Sequence, residues 1–249
     1  MGDISFGMAL YASIVCTFVG WFAYGIKNFG ITSPIVAGPL VGLLLGDLQT
    51  GVEIGAILTL TYLGVVGIGA AIPVNETTAT TIAVTFAILS GLDTSTAVAL
   101  AVPASILGQL DRMAAWTVNS SLMHVGDRYA KDANFKGMER LVGLGSLVFW
   151  IAEFIPVFLS IYFGAGFVSN LNENMPAWIN SWLTLATGML PALGFGMLFS
   201  MMYKREYIPY FMIGFVFAAY FDANLQAVAV IGAALALLNF YNSKKEVVI

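Results

Sequence analysis

Charge is scarce in this chain of 249 residues: 10% are Asp, Glu, Lys or Arg, where soluble domains carry about 25%. Basic residues are missing altogether between 28 and 111, so the acids of that stretch are not expected to be ion-paired within it. Cysteine and histidine occur once each, as Cys16 and His124. That excludes a disulfide framework, a cysteine-based metal site and a histidine cluster. No GxxxxGK[ST] run occurs, which excludes an ATP-driven pump acting alone. The net charge of −4 brings no basic stripe of the kind that binds nucleic acid. No catalytic residue, metal or cofactor is expected on this chain.

Apolar residues are abundant instead, at 59%, with a mean hydropathy of +0.87. A soluble core could not hide so much apolar surface, so lipid must be the solvent for much of the chain. A plain spanning helix needs about 20 mostly apolar residues. Stretches 4–26, 141–168 and 179–202 meet that, and residues 4–25 read as a retained membrane helix because no basic segment precedes them. Stretches 77–92, 94–110 and 207–221 are short for it and read as half-spanning or re-entrant pieces, or as helices that lean on protein neighbours. The fold class is therefore an all-α polytopic membrane protein in which transmembrane helices are joined by re-entrant hairpins.

The most informative stretch is GDLQTGVEIGAILTLTYLGVVGIGAAIPVN, residues 46–75. It is apolar enough for a membrane but broken by Gly, Pro and polar groups. Irregular polar backbone at membrane depth is tolerated only where it is buried in protein or lines a cavity, and transporters build substrate sites from such broken helices. Segments 28–46 and 51–72 predict a hairpin whose tip is Gly46–Gly51. Asp47 is placed to cap the second helix, with Gln49 and Glu53 in its first turns and Thr59 further along. Asn75, after Pro73, is placed to cap a new helix, and with Glu76 it is a candidate sugar ligand, since a helix start offers free N–H groups. Asp47, Gln49, Glu53, Thr59, Asn75 and Glu76 make up the candidate binding set. Glu153, before Pro156, reads as a kink-stabilising or partner-facing carboxyl. Gln109, Asp111 and Arg112 read as a helix-end cluster at the cytoplasmic rim.

Residues 109–140 hold half of the basic residues and mark the cytoplasmic side. They read as an amphipathic arm, either a solvated connecting helix or a membrane-surface one. The organisation expected is a single domain over 1–249: a hairpin-rich transport core over 28–108, the arm over 109–140, and a C-terminal helical half over 141–249. In that half, 168–178 reads as an external loop, and 207–221 with 226–241 as a hairpin turning at 221–224. Glycines in 64–69 and 188–196 suit close helix packing.

Pro34, GPLVGLLLGDLQTG (38–51), Gly55, Leu63-Gly64, the turn from Gly69 to Asn75, GMLPALGFGMLFSMM (188–202) and YIPYFMIGFVFAAY (207–220) together resemble a known family. It is the enzyme IIC subunit of the mannose–fructose–sorbose–N-acetylgalactosamine branch of the bacterial phosphoenolpyruvate-dependent sugar phosphotransferase system. The resemblance implies a multi-pass subunit of the bacterial cytoplasmic membrane that moves sugar by an elevator-like motion. It implies a IID membrane partner, assembly as a trimer of IIC–IID heterodimers, and phosphorylation of the sugar by IIB, itself charged by IIA. Thr59 and Gly67 depart from the mannose pattern, which has Glu and Asn there, and argue against mannose or glucose, while the C-terminal half and Asn75 after Pro73 are closer to the N-acetylgalactosamine or amino-sugar branch. The competing reading is an autonomous ion-coupled transporter using Glu53 or Glu76.

Overall fold

The computed structural model describes residues 4–25, 33–65 and 73–246, with side chains left out at 22–25, 165–174 and 241–246. All of its regular structure is helical among the described residues. The chain divides into two compact units, Met1–Leu198 and Phe199–Ile249.

The first unit opens with α1 (Phe6–Gly25), an apolar helix over the stretch read as the N-terminal one. Helices α2 (Pro34–Leu45) and α3 (Leu48–Thr61) then form the hairpin anticipated around Gly46. Pro34 starts α2 where a missing N–H costs nothing. Gly46 ends it at φ 94°, a left-handed conformation suited to glycine. Asp47 starts α3, its Oδ1 accepting the Thr50 N–H at 3.1 Å and its Oδ2 the Thr50 hydroxyl at 2.6 Å. The two helices meet backbone to backbone along Gly38 and Gly42 of α2 and Gly51 and Gly55 of α3. A methyl placed on Gly51 would lie 2.5 Å from the Gly38 carbonyl oxygen, and one on Gly55 2.5 Å from that of Pro34.

Helix α4 (Glu76–Ser90) runs through the middle of the unit, with every residue from Thr77 to Ala87 buried. Two of its hydroxyls are accommodated locally: Thr80 donates to the Glu76 carbonyl at 2.7 Å and Thr81 to that of Thr78 at 3.1 Å. Such back-bonding lets a threonine-rich helix sit among apolar neighbours. Gly91 ends α4 at φ 66°, and Asp93 caps α5 (Thr94–Lys131).

The next two helices are far longer than the sequence segments suggest. The 94–110 stretch is not a short piece but the start of a 38-residue helix carrying Pro103 inside it. Residues 109–140 are the far half of α5, a tight turn with Ala133 at φ 48°, and the start of α6 (Phe135–Asn174, 40 residues). At 1.5 Å per residue each helix is roughly 60 Å long. The loop anticipated over 168–178 is absent: α6 continues to Asn174, and α7 (Ala177–Met202) begins after Met175 and Pro176. A polar run, VSNLNEN, is no obstacle to a helix already propagating. Of the glycines in 188–196, Gly194 makes the close approach, against the Leu60 carbonyl of α3. Gly188 and Gly196 face open space, while Gly64 is pressed against Met197.

In the second unit, a short 3₁₀ turn (Arg205–Tyr207) leads into α8 (Ile208–Tyr220). The Lys204 Nζ stands 5.7 Å over the Tyr207 ring. The turn 221–224, with Asp222 at φ 47°, leads to α9 (Leu225–Glu246), as the sequence implied.

Candidate functional site

The α3 N-terminus gathers the first group of candidates. Gln49 Nε2 donates to Glu53 Oε1 at 3.1 Å, and the Thr94 hydroxyl at the start of α5 donates to Glu53 Oε2 at 3.4 Å. Gln49 and Glu53 are exposed, and Asp47 is occupied with its capping bonds. The tips of the two hairpins, 46–51 and 91–94, therefore meet at this end of the core. Beside them the Ser95 hydroxyl lies 3.3 Å from that of Thr184 on α7. Neither Thr94 nor Ser95 stands out in the sequence. Their position depends on Gly91 and Asp93, which form a turn-and-cap pair.

Asn75 and Glu76 stand at the other end. The Asn75 backbone N–H donates to the Ser105 carbonyl at 3.0 Å, which places the α4 start against the middle of α5. From Thr94 to Ser105 is about 16 Å along α5. The candidate set thus falls into two groups at opposite ends of one core rather than one cluster. Thr59 lies between them on α3, half-buried, its hydroxyl donating to the Gly55 carbonyl at 2.7 Å. Gly67 lies outside the described residues.

Around Asn75 the bundle is polar and closed. Asn75 is 2% exposed. Its Oδ1 accepts the N–H groups of Thr77 at 3.2 Å and Thr78 at 3.3 Å, and its Nδ2 donates to the Gly108 carbonyl at 3.5 Å. Glycine at 108 is required, since a methyl there would sit 2.6 Å from Asn75 Cβ and 2.7 Å from Thr78 Cβ. Tyr62, just past α3, donates its hydroxyl to the Ala101 carbonyl at 3.2 Å.

Glu153 and the Asp111–Arg112 pair, which read as separate in the sequence, come together here. Glu153 of α6 is 2% exposed, and its Oε1 accepts the Thr78 hydroxyl at 3.2 Å. Asp111, three residues beyond Gly108 on α5, is 6% exposed, so it is no helix-end group at a rim. Asp111 and Arg112 both lie within electrostatic reach of Glu153. Asp111 Oδ2, Glu153 Oε2 and Arg112 Nε are buried without hydrogen-bond partners. Among the described residues no set of three or more His, Cys, Asp or Glu is arranged to hold a metal ion. The groups left without partners here are one carboxylate oxygen each on Asp111 and Glu153 and the Arg112 Nε, while the Asn75 amide is engaged by Thr77, Thr78 and Gly108.

A separate groove of about 700 Å³ lies between the far halves of α5 and α6, with Trp21 at its edge, and its walls are mostly apolar. It contains none of the candidate residues.

Residues 6–238 match the family described as the PTS system sorbose-specific IIC component. N-acetylgalactosamine permease IIC component 1 of Escherichia coli (strain K12) is 34% identical over 241 residues, 96% of this chain and 89% of that protein. The mannose-specific EIIC component of the same strain is 30% identical over 88% of this chain and 83% of its own length. Among solved structures, a membrane protein 28% identical superposes with a TM-score of 0.84, covering 96% of this chain and 97% of that one. A chain of the mannose transporter ManYZ in complex with microcin E492, also 28% identical with the same coverage, gives 0.60.

Proposed function

Because the chain belongs to the sorbose-specific IIC component family of the sugar phosphotransferase system, we propose that it binds and carries an N-acetylgalactosamine-type sugar. In this reading it works with a IID membrane subunit, as trimers of IIC–IID heterodimers. Family members are permease components, not phosphoryl-transfer proteins, and the chain is an integral protein of the bacterial inner membrane. Sugar would leave the inner face as its phosphate, made by IIB with phosphate from IIA. The arm over 109–140 would then lie on the cytoplasmic side, with its five basic residues.

One observation carries the sugar site: a helix start, Asn75–Glu76, lies inside the bundle rather than at its surface, with Asn75 2% exposed. A ligand reaching that point meets an amide, a carboxylate and the positive end of α4. Gln49, Glu53 and Thr59, with Asp47 holding the turn behind them, are proposed as the groups the sugar meets toward the opposite end. Two features support the amino sugar. Thr59 replaces a carboxylate with a hydroxyl already turned to its own helix, and the 34% relative is an N-acetylgalactosamine permease component.

Calorimetric titration of the purified IIC–IID complex tests the proposal. N-acetylgalactosamine should bind, and mannose, fructose and sorbose should bind more weakly. Strong mannose binding with none for N-acetylgalactosamine would overturn the choice of sugar.

A further inference from the structure

Thr78 is held from two sides. Its N–H is capped by Asn75 Oδ1 at 3.3 Å, and its hydroxyl donates to Glu153 Oε1 at 3.2 Å, from a helix 75 positions away in sequence. The geometry points to Glu153 as a positioning residue for sugar recognition: through Thr78 it fixes the first turn of α4, and with it the orientation of the Asn75 amide. This rests on the reading of Asn75 as a sugar contact.

Stability alone does not account for the arrangement. Removing a carboxylate from water costs more than one hydroxyl hydrogen bond returns, and the second oxygen of Glu153 has no partner. The surroundings are nonetheless shaped to keep the group. A methyl on Gly20 of α1 would run into the Glu153 carboxyl, and one on Gly108 of α5 would strike both Asn75 and Thr78. Two glycines on two helices thus clear space for one chain of contacts, Glu153 to Thr78 to Asn75. Asn75 in turn is tied to α5 through the Ser105 and Gly108 carbonyls. With the Thr78–Glu153 bond cut, Asn75 keeps its ties to α5, while the first turn of α4 loses its hold on α6 and loosens. Recognition should suffer before assembly does.

Uptake of labelled N-acetylgalactosamine by cells carrying the whole transporter gives the test, with amide hydrogen exchange on the purified complex as a readout that needs no sugar. Glu153→Ala and Thr78→Val should each raise KM about tenfold or more, leaving the maximal rate within about twofold, a change confined to binding. The double variant should be no worse than either single one. Glu153→Gln keeps an acceptor for the Thr78 hydroxyl and should restore KM. In Glu153→Ala the amides of Thr77 to Thr80 should exchange faster, and in Glu153→Gln they should not. Unchanged exchange in Glu153→Ala would overturn the inference, as would a Glu153→Gln variant as impaired as Glu153→Ala. Asn75→Ala is run alongside. If it leaves KM unchanged, the Asn75 site itself is wrong. If it raises KM while Glu153→Ala does not, only the role of Glu153 is refuted.

Discussion

Gly51→Ala is the sharpest perturbation the hairpin offers. The added methyl would lie 2.5 Å from the Gly38 carbonyl oxygen and 2.9 Å from the Gly42 Cα. Both obstacles are backbone, so no side chain can swing away and the two helices must part. Overpacking costs about 1–3 kcal/mol, and a clash with backbone belongs in the upper half of that range. Alanine returns about 1 kcal/mol over glycine in a helix interior. The net expectation is a loss of roughly 1–2 kcal/mol. For a chain of this size that lowers the unfolding midpoint by roughly 2–8 °C. Gly143→Ala is the matched control, because a methyl there meets nothing within 4 Å and should be neutral or slightly stabilising. The assay is thermal unfolding of the detergent-purified complex, followed by sugar uptake in cells. Reduced uptake should accompany the lower midpoint for Gly51→Ala alone. A Gly51→Ala protein with the midpoint and uptake of the parent would refute the backbone-to-backbone packing.

Other parts of the molecule carry three further expectations. Cys16 is fully buried, its sulfur 3.2 Å from the Thr85 hydroxyl, so the native protein should resist maleimide and label stoichiometrically once denatured; rapid native labelling would contradict the α1–α4 packing. Tyr62→Phe removes the hydroxyl bonded to the Ala101 carbonyl and should cost about 1 kcal/mol, read as a drop of a few degrees in the unfolding midpoint; an unchanged midpoint would show that bond to be idle. Proteoliposomes holding this chain alone should show no proton- or sodium-driven sugar accumulation; accumulation would revive the ion-coupled alternative and remove the need for IID and IIB.

Local chemistry was legible in the sequence where it was self-contained. The Gly46 turn, the Asp47 and Asn75 caps and the 221–224 turn each depend on residues within six positions of one another. What failed was continuity and long-range pairing. Polar residues from Gln109 to Arg140 suggested an end to the membrane helix, yet α5 passes through Asp111 without a break, since polarity changes a helix's surroundings and not its backbone bonds. Glu153 and Asp111 were separated by sequence and by their apparent depths; the antiparallel pairing of the long helices α5 and α6, which also sets Asn119 against Gly145, brings them together. Gly194 could not be told from Gly188 or Gly196 by composition, because the α7 face that touches Leu60 is set by a different helix. For the same reason the candidate residues read as one set from a continuous stretch divide between the two ends of α3 and α4.

The Thr78–Glu153 bond also has a consequence in time. Ribosomes add about 5–20 residues per second, and the two partners are 75 residues apart. Helix α4 is therefore made roughly 4–15 s before α6 can supply its acceptor. At 15 residues α4 is about 22 Å long, short of the roughly 30 Å hydrocarbon layer, so it cannot wait as an ordinary spanning helix. Its seating against α6 waits until Glu153 has been made, and a nascent chain stalled before that residue should hold α4 without its anchor.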